Sequence, residues 1–523
     1  MLLELVIIDP GGLIYFLILR PGSYLITLFT DTSILVGGSV QPMRTLKDNM
    51  SQMEFGITMI LSKTFQDAIT ITRSLPVRYP WIDSLCIIQD DEHDWEIESS
   101  RMASVYENAY LVISAAHASD GSKGCFSNQC GLDNAGIPIY EYTMLDGSIV
   151  PFYLRIDKQI SHHEYDPILA LIKLPNSQRP SLHTRSWALQ ERILATRIVH
   201  FTGQELVWEC RTPSSCECRR LEQLPHSLTP IKQHWTQRLS RSRELGHKWY
   251  DVWHSLVRLY GRLNITFPSD HLPALSGLAA KFQAAGAGNY AAGLWKENIF
   301  SDLLWMTNEP VERPLSWLAP SWSWALLQLD RSKSISHSVT QEVYGRTIAL
   351  DIRNLILEPG GGMATTLVDI RCEASGEDPT GRVRPGAFLT ISAPIISVAL
   401  AKAPLLEVKG FVSKHGALVE FVSDTMTDFA ELCADGNTLN LFCVWIATMQ
   451  DRRMIELQTL VLRESKGIGG VAAIPGAYER VGLMYARYPD TKADGFEIRT
   501  TSLRPRTPKS LRVENCASQH HRV

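Results

Sequence analysis

The sequence predicts an α/β domain near the amino terminus, a mainly helical region after it and a β-rich module towards the carboxyl end. Three observations carry this reading. Continuous apolar runs alternate with segments of helical period between residues 61 and 116. Twelve of the 13 tryptophans fall between Trp81 and Trp324, so composition changes near residue 330. From about Arg346, short β-prone runs alternate with Gly, Pro and Asp clusters.

At the amino terminus, Leu2–Ile8, Leu13–Leu19 and Tyr24–Phe29 are apolar and separated by Asp9-Pro10-Gly11-Gly12 and Arg20-Pro21-Gly22. They read as strands, since none approaches the roughly 18–20 residues that span a bilayer. The first charges are Glu4 and Asp9, unlike the positive start of a signal peptide. Leu61–Leu75 reads as a helix, and Tyr79–Ile88 as a strand whose Ile82, Leu85, Ile87 and Ile88 need cover on both faces. Pro80, lacking an N–H, favours a first or edge position for that strand. Asp94–Ala109 reads as a helix because Trp95, Met102, Val105, Tyr106 and Ala109 form one stripe, with Asp90, Asp91, Glu92 and Asp94 at its positive end. Tyr110–Ala116 is a second buried strand. Apolar strands joined by helices imply a covered parallel sheet.

Between His226 and Asp302 the period is helical, with Trp249, Val252, Trp253, Leu256, Leu259 and Tyr260 on one stripe and Ser269 as an N-cap before Leu272, Leu275 and Leu278. Further on, Leu367–Ile370, Phe388–Ile391, Leu418–Phe421, Leu441–Ile446 and Leu457–Leu462 read as strands. The divisions are 1–39, an atypical amino-terminal segment; 40–200, the α/β domain; 201–330, the helical Trp-rich region; 331–501, the β-rich module; and 502–523, a basic, frayed tail.

Lys and Arg total 51 against 55 Asp and Glu, a formal charge of −4 that provides no field to recruit nucleic acid or an anionic membrane. Ten irregularly spaced cysteines in 523 residues point to free thiols in a reducing, cytoplasmic setting. Cys210, Cys216 and Cys218, with His200 and His226, lack the paired knuckle of a zinc site, so no metal is expected. Gly467-Ile468-Gly469-Gly470-Val471-Ala472 mimics a dinucleotide-binding turn, but Pro475 and Gly476 would break the required helix, which makes a hairpin loop before Tyr478–Tyr485 the better reading. The chain has no G-x-S-x-G elbow and no Walker motif.

Tyr79-Pro80-Trp81-Ile82-Asp83-Ser84-Leu85-Cys86-Ile87-Ile88-Gln89-Asp90-Asp91, then Asp94-Trp95, Glu98-Ser99, Arg101-Met102, Val105-Tyr106 and Asn108-Ala109-Tyr110, closely resembles the heterokaryon incompatibility (HET) domain of filamentous fungi. Further matches follow at Arg185-Ser186-Trp187-Ala188-Leu189-Gln190-Glu191-Arg192, His200-Phe201, Trp208-Glu209-Cys210 and Ala319-Pro320-Ser321-Trp322-Ser323-Trp324. The motif positions include Trp81, Asp83, Cys86, Gln89, Arg101, Trp187, Gln190, Glu191 and Arg192. Family members usually open with a strand ending Ser-Tyr-x-Trp-Gly. This chain has only Tyr24–Phe29 and then Gly37-Gly38-Ser39, so the Ser-Tyr-x-Trp core is absent.

The resemblance implies a protein of non-self recognition that triggers programmed cell death when fungal cells of different genotype fuse. It also implies a TIR-like, flavodoxin-like fold that either associates through its surfaces or cleaves NAD with a glutamate. The first alternative predicts protein partners, self-association among them, and no cofactor; the second makes NAD a substrate. Asp83, Glu98 and Glu191 are the catalytic candidates, because a carboxyl can act as general acid–base or stabilise a cationic sugar. Against this stands a structural reading in which Asp83 caps a turn or pairs with Arg101 or Arg192, while Glu98–Arg101 and Glu191–Arg192 belong to a network locking helices together. Trp187, Trp208, Trp322 and Trp324 read as packing rather than stacking platforms.

Overall fold

The computed structural model describes residues 3–7, 14–18, 25–29, 43–55, 61–126, 137–154, 182–203, 205–212, 214–217, 221, 232, 248–307, 311–312, 314, 316–327, 348–349, 355–356, 365–393, 395–399, 411–412, 418–425, 440–450, 454–465, 476–489 and 509–514. The chain divides into two compact units, Met1–Arg241 and Ser242–Val523. The helical region expected at 201–330 is divided between the units at Arg241, and its larger part joins the β-rich module in the second unit, with residue 330 inside it.

In the first unit, β1 (Leu3–Ile7) and β2 (Ile14–Ile18) form an antiparallel hairpin, as their apolar runs predict. The third run is β3 (Leu25–Phe29), which pairs in parallel with β4 (Tyr79–Trp81) on one side and β5 (Leu111–Ser114) on the other. A second hairpin, β6 (Ile137–Thr143) and β7 (Ile149–Leu154), stands outside this sheet. β8 (Arg197–Phe201) runs parallel to β5, and β9 (Leu206–Cys210) and β10 (Ser214–Cys216) add antiparallel. The six-stranded order is β10-β9-β8-β5-β3-β4. The sheet thus takes strands from both sides of the 40–200 span. β4 is its edge, where Pro80 costs no ladder bond.

The helices are α1 (Met50–Phe55), α2 (Lys63–Arg73), α3 (Asp83–Cys86), α4 (Glu92–Asn108) and α5 (Ser186–Leu194). α2 starts at Ser62, whose hydroxyl accepts from the Phe65 amide, and its Phe65, Ala68 and Ile69 pack on Leu111, Ile113 and Phe201. α4 starts at Asp91, whose carboxylate accepts from the amides of His93 and Asp94, so the acidic run serves as a cap. Strand residues alternate faces, so Leu111 and Ile113 meet α2, whereas Val112 and Ser114 face the other way.

One expectation fails here. Tyr79–Ile88 is not a single strand: it ends at Trp81, and Asp83–Cys86 is a helical turn. Ser84, Leu85, Cys86, Ile87 and Ile88 are all buried, and a short run buried on every side reads the same whether it is strand or helix.

In the second unit, α6 (Lys248–Tyr260) confirms the tryptophan-bearing stripe. Ser269 lies instead in a 3-10 turn, Pro268–Asp270, and the next helix, α7 (Pro273–Ala284), begins on a proline pre-organised for the first helical position. The β-prone runs form strands at Thr366–Arg371, Phe388–Ala393, Leu418–Ser423, Asn440–Gln450 and Met454–Glu464, in a ten-stranded sheet. Ala477–Pro489 pairs antiparallel with Met454–Glu464, as the hairpin reading requires, although Gly467–Ala472 lies outside the described residues. The tail expected to fray instead forms the strand Lys509–Glu514 on Phe388–Ala393. Its alternation of Leu511 and Val513 with Ser510 and Arg512 is the strand signal that the basic composition obscured.

Candidate functional site

In an open parallel sheet the carboxyl ends of the strands are where ligands bind. Asp83 follows β4 at that end, through the extended Ile82, and its Oδ1 accepts from the Ser84 amide at 2.7 Å. It opens a helical turn rather than sitting inside a strand. Gln89 closes the turn, its Nε2 donating to the carbonyl of Ile87 at 3.0 Å. Thr45 bridges the same turn, with its amide on Ser84 O at 3.0 Å and its hydroxyl on Leu85 O at 2.6 Å. Cys86 is buried within it.

Glu191 lies on α5 and is buried, as are its neighbours Gln190 and Arg192. Burial raises its pKa to about 8, against the pull of the Arg185 charge and with the push of Asp83, while the Tyr106 hydroxyl hydrogen-bonds the carboxyl. Tyr106, on α4, is itself held well above the ordinary phenol range by burial and by Glu191. Trp81 meets the Tyr106 ring edge-on at 5.9 Å. The sheet and two helices therefore bring Asp83, Tyr106, Arg185 and Glu191 together, two of which the sequence singled out. Trp81 Nε1, Ser84 Oγ and Ser186 Oγ, beside these residues in sequence, are buried without a hydrogen-bond partner.

Glu98 is a different case. Its Oε1 accepts from Arg101 Nη1 at 2.9 Å, while Oε2 has no hydrogen-bond partner. Burial raises its pKa, opposed by Arg101. The pair is the i,i+3 contact that the spacing predicts. Arg192 pairs through Nε with Glu209 Oε2 at 2.8 Å. Trp187 is only half-buried, edge-on to Trp95 at 6.4 Å, whereas Trp322 and Trp324 are fully buried.

A second buried network escaped the sequence reading. His200 on β8 contacts Ser114 Oγ through Nδ1 at 3.0 Å and Glu209 Oε2 through Nε2 at 2.9 Å. Ser114 and His200 are register partners at the strand ends, and His183 meets the His200 ring edge-on at 5.2 Å. Burial pushes His200 down to about 4, although Glu209 pulls the other way. Burial would raise Glu209, but Arg192 and Lys232 hold it well below the usual carboxylate range. A serine–histidine–glutamate chain has the connectivity of a nucleophile relay. Here Arg192 occupies the carboxylate and all three members are buried, which suits an anchor of α5 to the sheet. His200-Phe201 and Trp208-Glu209-Cys210 were the sequence signal, but nothing local linked them to Ser114.

Cys210 Sγ lies 3.3 Å from Thr212 Oγ1, and Cys216 packs with Val207; Cys218 is outside the described residues. Among the described residues, Cys86, Cys125, Cys210, Cys216, Cys372 and Cys443 take part in no disulfide. Among the described residues, no group of three or more His, Cys, Asp or Glu could hold a metal ion, and no helix is long and apolar enough to cross a membrane.

Residues 35–191 match the family described as Heterokaryon incompatibility protein (HET). No curated protein and no solved structure matches the chain. The matched span runs from before α1 to Glu191 and holds Asp83, Glu98, Tyr106 and Arg185 together with the helices that position them. The likeness to a heterokaryon incompatibility domain thus belongs to residues 35–191 of the chain.

Proposed function

We propose that this protein acts in the cytoplasm in fungal non-self recognition and signals cell death by association of its heterokaryon incompatibility domain with protein partners, its own copies included. The observation that carries the reading is the state of the carboxylates. Glu98 is bound by Arg101 within α4, and Glu191 on α5 has the Arg185 charge and the Tyr106 hydroxyl of α4 beside it, so the first carboxylate fits an intrahelical pair and the second a link between two helices. The parallel strands β3, β4, β5 and β8, numbered one to four along the chain, lie in the order two-one-three-four. That order supports a flavodoxin-like, TIR-like sheet.

A specific observation favours a second reading. Glu191 keeps its proton at neutral pH beside Asp83, and two carboxyl groups in unlike environments are the pattern of acid–base catalysis, here cleavage of NAD as substrate. Inducible expression of the full chain, with growth and cellular NAD followed together, separates the two. Association predicts growth arrest before any fall in NAD. A fall in NAD that precedes arrest would establish the glycohydrolase and remove the first reading.

A further inference from the structure

The hairpin β6–β7 concentrates the exposed apolar surface of the first unit. Tyr140 is 63% exposed, Tyr142 49%, Leu145 108% and Ile149 61%, and every residue from Tyr140 to Val150 is exposed. This ribbon therefore stands clear of the domain on both faces along that stretch. A two-stranded hairpin is marginally stable in water by itself, so one that exposes aromatic residues this way gains from a partner.

The register fixes which residues share a face. Tyr142 lies opposite Val150 and Tyr140 opposite Phe152, whereas Thr143 lies opposite Ile149 and Glu141 opposite Pro151. Cross-strand partners share a face and neighbours along a strand alternate, so Tyr140, Tyr142 and Val150 form an uncharged side and Glu141 belongs to the other. Each strand carries a proline, Pro138 and Pro151, which discourages edge-to-edge addition of strands and leaves the face as the means of contact.

Charge and area select the occupant. Residues 137–154 contain Glu141 and Asp146 and no Lys or Arg, so an anionic membrane would repel the ribbon. Two copies of the uncharged face can meet about a twofold axis without opposing like charges. Six residues on each of two strands present roughly 200–300 Å², against about 800 Å² per partner in a stable complex. The contact is thus weak for two copies and becomes effective when copies are concentrated together.

We propose that the uncharged Tyr140–Tyr142–Val150 face of this hairpin is a homotypic contact through which copies of the chain associate weakly and reversibly. The inference rests on the association reading of function. Its test is sedimentation velocity of the full chain over a concentration series, with hydrogen exchange of residues 137–154, for wild type, Tyr142→Glu and Val150→Glu. Wild type should gain mass and protection in the hairpin as concentration rises, and each variant should associate about tenfold more weakly or worse, a loss worth roughly 1.4 kcal/mol. Because these side chains are exposed, circular dichroism should match wild type. A chain that stays monomeric at every concentration overturns the proposal, as does a hairpin already protected in the dilute monomer by the chain's own residues. Association that is unchanged in both variants overturns the hairpin contact but leaves the association reading standing. Monomeric variants that still arrest growth refute association as the cause of death and leave the hairpin contact intact.

Discussion

Glu191 carries a proton that an exposed glutamate would have lost, and this gives its contribution to stability a sign. Its folded pKa, about 8, lies above the ordinary 4.5, so the unfolded chain releases the proton first. Stability from this group is complete below the ordinary value and is lost as pH rises through 8. Glu191→Gln keeps the neutral state at every pH. The variant should therefore gain on wild type in urea midpoint between pH 5 and pH 8; a constant difference would show that Glu191 is ionised when folded. His200 and His271, both pushed down to about 4 by burial, act on the acid side, where stability falls as pH drops from 6.5 towards 4. Packing separates the tryptophans. Trp81→Ala should cost about 3–5 kcal/mol, and Trp187→Ala, half-exposed beside Trp95, about 1–3 kcal/mol. Equal losses in thermal melts would place Trp187 in the core. Asp83 and Glu191, which the fold brings together, could be named from the sequence because each sits in a dense local motif; Glu98 was named on the same signal but lies with Arg101 instead. Ser114, Arg185 and Tyr106 were harder to name as site members, because their partners come from sheet register and helix packing across tens of residues.

Among the elements, the long helices were legible because period and caps agree: Asp91 and the stripe of α4 mark the same helix. Tyr79–Ile88 was not, since full burial removes the period, and the β6–β7 hairpin gave no core pattern over Tyr140–Val150, which is exposed throughout. The opening of the domain is the element where this chain departs from the heterokaryon incompatibility pattern that it otherwise resembles. β3 keeps its place between β4 and β5, while the altered stretch Thr30–Val36 that follows it lies outside the described residues. The order two-one-three-four reverses between β3 and β5, and ligands or contacts in such sheets gather at that point. Replacing Thr30–Val36 with a Ser-Tyr-Cys-Trp opening into Gly37 should leave circular dichroism unchanged and raise toxicity on induced expression. Full toxicity of the unaltered chain, with no gain on replacement, would make the opening dispensable.

At the scale of the whole molecule, one buried arginine joins distant segments of the second unit. Arg480 on the strand Ala477–Pro489 binds both oxygens of Asp424, at 2.7 and 3.0 Å, and the carbonyls of Leu303 and Trp305, with its guanidinium 3.4 Å from the Trp305 ring centre. Helical and β-rich segments, which composition alone separated, meet at this residue. Arg480→Met should cost about 3–5 kcal/mol, because Asp424 would stay buried after losing the two guanidinium hydrogen bonds it accepts. Faster hydrogen exchange in Ala477–Pro489 would report it. The central claim is that the domain signals by association and that its buried carboxylates are structural. The most direct measurement is the growth of cells expressing Glu191→Gln at a level of folded protein matched to wild type. Undiminished growth arrest is the expected result; loss of arrest by a folded Glu191→Gln protein, while wild type depletes NAD, would contradict the account.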